Sequence, residues 1–263
     1  MVDIGSMIAD LEAESAEVDR LVADLPAEGW AAMTPATGWT VAHQIAHLAW
    51  TDHAALLAIT DPPAFYRNLE QAAEDPESYV DRGAEEYLDE PAALLAKWRA
   101  GRAELAAALA GVPAGEKVAW YGTTMSPVSM VTARIMETWA HGLDVAQTVG
   151  VERTATDRLR HIVHLGHRTI GWAFAAHDRA MPDEPIRLEL TAPAGGDVWA
   201  FGPADATNRI TGPALDFCLL VTQRAHRSDL ALVATGPVAD EFLDIAQAFA
   251  GPPGGKRAAS DVA

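Results

Sequence analysis

The sequence predicts a two-part α+β protein: an α-helical bundle over residues 1–181, a small α+β domain over 182–253, and a disordered tail over 254–263. Three observations carry this reading. Apolar residues before Pro182 recur at helical spacing, as in Ile8, Leu11, Val18, Leu21 and Val22. After Pro182 the pattern switches to alternation, as in Ile186-Arg-Leu-Glu-Leu190. Gly251-Pro-Pro-Gly-Gly255 then opens a terminal stretch that no packed element can use.

Within the bundle, Pro35-Ala-Thr-Gly-Trp-Thr40 is a turn ending on a candidate N-cap, Thr40, and a second helix runs from about Val41 to Ile59. Asp61-Pro62-Pro63 breaks it, and the acidic segment 64–82 is either helical or partly mobile. A third helix is expected from about Ala84 to Leu109, on Ala-rich propensity. A fourth starts near Pro127, a good first-turn residue, and ends at Gly150. Another is expected over Thr156 to Ala180. The second domain reads β-β-β-α-β-α. Its strands lie near 186–190, 198–201, 208–211 and 230–235, and its helices over 212–225 and 239–250, with a hairpin turn at Ala194-Gly-Gly-Asp197.

Composition narrows the function. Nearly half of the 263 residues are apolar, enough for a substantial core. Lys+Arg number 19 and Asp+Glu 37, a net charge of −18 that repels phosphate backbones and anionic membrane surfaces. Neither nucleic acid nor membrane is therefore an expected partner. The N-terminal stretch lacks a signal-peptide pattern and no run is long and apolar enough to span a bilayer, so a cytoplasmic location is expected. The single cysteine, Cys218, lies in an apolar helical run and reads as a small buried hydrophobe rather than a nucleophile.

The nine histidines carry the chemistry. Glu137 and His141, in Met136-Glu-Thr-Trp-Ala-His141, are spaced i, i+4, which on a helix puts both on one face about 6 Å apart along the axis. A carboxylate and an imidazole so placed are a common helical half-site for a metal; a surface pairing is the plainer alternative. The other half-site is the helix Thr40 to Trp50. His47 lies within its apolar run, whereas His43 is nearer the start and more exposed. A ligand from each of two helices makes His47, Glu137 and His141 a three-ligand site for one divalent ion: zinc, nickel or ferrous iron. His161, His164 and His167 drift around their helix and read as a structural or half-exposed stripe. Trp39, Trp50, Trp120, Tyr121 and Trp139 read chiefly as bundle core, with room for one or two to line a pocket.

The segments Thr40 to Trp50 and Met136-Glu-Thr-Trp-Ala-His-Gly-Leu-Asp-Val-Ala146 resemble the two signature segments of the mycothiol-dependent maleylpyruvate isomerase family, within the DinB-like metalloenzyme superfamily. Thr211 to Arg224 is similar to that family's C-terminal glycine-opened helix ending in arginine. Trp120-Tyr121-Gly122 and Ile245 to Pro253 resemble an actinobacterial branch of it. The resemblance covers nearly the whole chain and implies a DinB-like up-down helical bundle. It also implies zinc on His47, Glu137 and His141, mycothiol as a low-molecular-weight thiol cofactor, and Arg224 as the catalytic residue that grips a substrate carboxylate. The family reaction is cis–trans isomerisation of a conjugated dicarbonyl acid. The substrate double bond becomes single on thiolate addition, rotates, and is restored as the thiol leaves.

Three protein ligands leave zinc an open position, as a catalytic site requires, and a metal favours the thiolate form of a thiol that enters it. Asp144, one turn past His141, either orients that imidazole or is a surface residue. The expected function is thus a metal-dependent, thiol-using isomerase or S-transferase acting on a small organic acid or electrophile. Two alternatives stand beside it. One is a hydrolase using zinc-bound water. The other is a non-enzymatic small-molecule binding protein whose metal is structural, with His43 or Asp144 as a fourth ligand.

Overall fold

The computed structural model describes residues 3–113 and 115–260 and divides into two compact units, one through Arg153 and one from Thr154. The expected order, a helical unit followed by a small sheet-bearing unit, is what the structure shows.

The first unit begins with α1 (Ile4–Val22), capped by the Asp3 carboxylate, which accepts from the amides of Gly5 and Ser6. The short α2 (Ala27–Trp30) leads to α3 (Val41–Thr60). Asp61 ends α3 and caps α4 (Pro62–Glu74), with Pro62 in the first turn. Next come α5 (Tyr79–Tyr87), α6 (Pro91–Gly111), an antiparallel hairpin of β1 (Val118–Trp120) and β2 (Thr123–Met125), and α7 (Pro127–Thr148). The core forms where α3 packs on α6, α5 and α7, and where α1 packs on α7. Helix α3 buries residues on nearly all sides, including the polar Gln44, His47, Thr51 and Asp52.

One polar layer crosses this core. Arg134 of α7, 1% exposed, donates to the Asp52 carboxylate at 3.0 Å and to the Thr51 hydroxyl at 2.7 Å. The Thr51 hydroxyl in turn donates to the carbonyl of His47. The pair ties α7 to α3 across the buried layer, and loss of either partner would strand a buried charged group.

The second unit contains α8 (Leu159–Arg168), α9 (Ile170–Ala176), β3 (Ile186–Thr191), β4 (Val198–Phe201), β5 (Asn208–Pro213), α10 (Ala214–Val221), β6 (Val233–Thr235) and α11 (Pro237–Ile245). The sheet order is β4-β3-β5-β6. Strands β3 and β5 are parallel, with Leu188 opposite Ile210, and the outer pairs are antiparallel. Ile186, Leu188, Leu190, Trp199 and Ile210 are buried, as the alternating pattern requires.

Several expected boundaries move. The helix expected over 84–109 is two helices, because Pro91 starts α6 and forces the preceding Glu90 into an extended conformation (φ −53°, ψ 139°); a run averaged for alanine content hides that punctuation. Segment 64–82 is helical over most of its length. The helix expected over 156–180 breaks at Thr169 into α8 and α9. These pack on α10 and α11 respectively, so the helical pair joins the sheet-bearing unit and the chain divides at 153/154 rather than 181/182. Helix α10 stops at Val221, three residues before Arg224, and Gln223 takes a left-handed φ of 58°. Helix α11 ends at Ile245 rather than 250. The hairpin β1–β2 was not expected; Gly122 turns it with φ 70°. From 254 to 260 the chain has no regular structure, although the Ser260 amide donates to Asp229. The last three residues of the expected tail lie outside the described residues.

Candidate metal centre

His47 of α3 and Glu137 and His141 of α7 meet. The Nε2 atom of His47 lies 3.3 Å and that of His141 3.2 Å from the same Glu137 oxygen, Oε2. The candidate ligand atoms of the three residues all lie within 4.8 Å of one another. Two imidazoles and a carboxylate, converging from two packed helices, form a donor set that fits a divalent ion with an open position. Among the described residues this is the one such group of three or more donors; His161, His164 and His167 form none, and the rings of His164 and His167 lie against Phe201. Burial alone would raise the Glu137 carboxyl. Hydrogen bonds from His141 and His47 outweigh it and hold the group well below the usual carboxylate range. Glu137 is therefore an anionic donor.

The surroundings explain the neighbouring polar residues. His43 completes the capping box of α3: its backbone N–H donates to Thr40 Oγ1, and its Nδ1 accepts from the Thr40 amide. That duty accounts for His43 without ligation. At His141 Nδ1 the partner is Gln44, whose Oε1 lies at 2.5 Å. Gln44 is fully buried. Asp144 is buried as well, not a surface residue. Trp39 covers both imidazoles, with its ring 5.8 Å from that of His141 at 22° and 5.2 Å from that of His47. Its indole N–H donates to Asp81 of α5 at 2.9 Å. Trp50 closes another side of His47 at 5.8 Å. Trp120 and Tyr121 pack instead against Phe65.

A cleft of about 530 Å³ runs along α3, α4 and α5. Trp50 forms part of its wall, together with Asn68, Gln71, Tyr79, Arg82 and Tyr87. Its size and aromatic groups suit a small organic molecule, and Glu74, Asp75 and Glu86 also line it.

In the second unit Arg224 follows α10, and its Nη1 donates to the Thr222 carbonyl at 2.8 Å. Cys218 is buried, and burial pushes its thiol pKa well up, as expected for a packing residue.

Comparison with known proteins places this geometry in context. Residues 11–146, more than half of the chain and containing all three donors, match the mycothiol maleylpyruvate isomerase N-terminal domain. The chain belongs to the mycothiol-dependent maleylpyruvate isomerase family. Residues 182–235 match a second family, described as wyosine base formation. Two family relatives are uncharacterized proteins of Mycobacterium tuberculosis, from strains H37Rv and CDC 1551. Each is 54% identical over 255 residues, covering 97% of this chain and 99% of theirs. Among solved structures, the crystal structure of the mycothiol-dependent maleylpyruvate isomerase superposes with a TM-score of 0.56. It is 17% identical, with 89% of this chain and 93% of that one covered. A histidine-to-alanine mutant of that enzyme gives the same TM-score at 16% identity. At such identity the likeness is one of fold. No helix among the described residues is long and apolar enough to cross a membrane.

The sequence reading named His47, Glu137 and His141 as candidate donors; it read Trp39 and Trp50, with three other aromatics, chiefly as core, and the structure sets these two beside the imidazoles. That reading missed Gln44, Thr34, Asp81 and the Arg134–Asp52 pair. An arginine inside the largely apolar run Met130–Met136 is the signal for the last of these.

Proposed function

We propose that this chain is a metal-dependent, mycothiol-using isomerase or S-transferase, which isomerises a small organic acid or joins the thiol through its sulfur to an electrophile. The observation that carries the reading is the convergence of His47 Nε2 and His141 Nε2 on one Glu137 oxygen, within a family named for such an enzyme. His47, Glu137 and His141 would hold a divalent ion, proposed as zinc on the likeness of their segments to the family's, and that ion would favour the thiolate form of an incoming thiol. The chain's own groups do the rest. Trp39 and Trp50 wall the donors and limit water around them. The cleft beside Trp50 is the proposed seat for the organic part of a ligand. Arg224 is proposed as the carboxylate grip, on the likeness of its segment to the family's C-terminal helix and on the bidentate fit of guanidinium to carboxylate.

The test is turnover by zinc-loaded protein of maleylpyruvate and, separately, of an alkylating electrophile, each with and without mycothiol. Thiol-dependent turnover of either supports the reading and chooses between isomerase and transferase. Full hydrolytic activity in thiol-free buffer would replace it with the zinc-water hydrolase.

A further inference from the structure

Every donor in the hydrogen-bond chain behind His141 has a forced direction. The carbonyl of Trp39 can only accept, and it receives the Thr34 hydroxyl at 2.8 Å. The Thr34 oxygen, having spent its one proton, can only accept from Gln44, 2.8 Å away. The end of the Gln44 side chain nearest Thr34 is therefore its NH₂, and Oε1 is the end that meets His141 Nδ1 at 2.5 Å. An amide oxygen only accepts, so a proton sits on Nδ1, and the other ring nitrogen, Nε2, is the one that faces Glu137 Oε2 at 3.2 Å. His47 has no counterpart: its Nδ1 is buried without a hydrogen-bond partner.

We propose that Gln44 is a positioning residue, sorted by Thr34 and the Trp39 carbonyl, that holds a proton on His141 Nδ1 and so makes Nε2 the ring nitrogen that would ligate. The inference rests on the metal-site reading above and adds to it the residues that prepare one ligand before any ion arrives. Such outer partners of ligating histidines commonly govern affinity by 10- to 100-fold.

The experiment compares wild type with Gln44→Met, which keeps shape and loses the acceptor, Gln44→Glu, which keeps an acceptor, and Thr34→Val, which frees the amide to flip. Two quantities are read on the full chain. One is the zinc dissociation constant by chelator competition. The other is the His141 Nδ1–H resonance in ¹⁵N-histidine-labelled protein, assigned by its loss in His141→Phe. Gln44→Met is expected to weaken zinc by about 10- to 100-fold and to lose the resonance. Gln44→Glu should restore both, and Thr34→Val should show a smaller loss. A folded Gln44→Met with wild-type affinity and an unchanged resonance overturns the proposal. Should Gln44→Met fail to fold, an unchanged Thr34→Val overturns it instead. A wild type that binds no zinc defeats the metal reading itself, while the resonance still decides whether Nδ1 holds its proton.

Discussion

Gly83 of α5 lies directly against the indole of Trp50: a β-carbon at residue 83 would fall 2.3 Å from the ring. Trp50 in turn packs against His47 and walls the cleft. Because Gly83 sits in a helix with ordinary φ, space rather than backbone freedom demands glycine here. Gly83→Ala should therefore cost about 1–3 kcal/mol through displacement of the indole, despite the better helix propensity of alanine. Thermal unfolding checks this, and a stabilised variant would contradict the packing.

The Arg134–Asp52 pair predicts an asymmetric response. Arg134→Met leaves a buried carboxylate without its partner and should destabilise by about 3–5 kcal/mol. Removing both charges in Arg134→Met/Asp52→Leu should recover most of that loss. Denaturant titration of the single and double variants measures the difference.

Asp19 gives the pH dependence. The Arg99 fork, at 2.6 and 2.7 Å, together with Arg102 at 3.0 Å, holds the Asp19 carboxyl below its ordinary 3.8. A carboxyl whose folded value is depressed contributes stability that is present above the unfolded value and lost as pH falls through the folded one. Asp19→Asn should thus be less stable than wild type by ~1 kcal/mol near neutrality. The gap should close only below about pH 3.8, tracked by unfolding at a series of pH values.

Arg224→Lys keeps the charge and loses the planar fork. With a carboxylate substrate it should raise KM about tenfold, in line with the loss of one charge-assisted hydrogen bond. Zinc content should not change, because Arg224 is not among the three donors. Steady-state kinetics alongside metal analysis separate the two effects.

What could be read from the sequence followed from spacing. Glu137 and His141 share a helix face by arithmetic, and His47 stood out as an imidazole inside an apolar run. The switch from helical to alternating pattern at Pro182 marked the sheet correctly, but not where the chain divides. The affiliation of α8 and α9 is decided by which helices they touch, and amphipathic periodicity carries no such information. Gln44 was hidden for a related reason. A buried glutamine looks like any polar residue in a helix until Thr34, ten residues earlier, is brought beside it by the turn that leads into α3. Pro91 is the punctuation in the sequence that separates α5 from α6, inside a run whose alanine content reads as one helix.

The most direct test of the central claim is metal content by mass spectrometry on protein purified without chelator and then offered zinc, for wild type, His47→Ala and Glu137→Gln. The convergence of the three side chains predicts one equivalent of zinc in wild type and its loss from both variants with the fold retained. Wild-type protein that takes up no metal, or variants that retain a full equivalent, would contradict it.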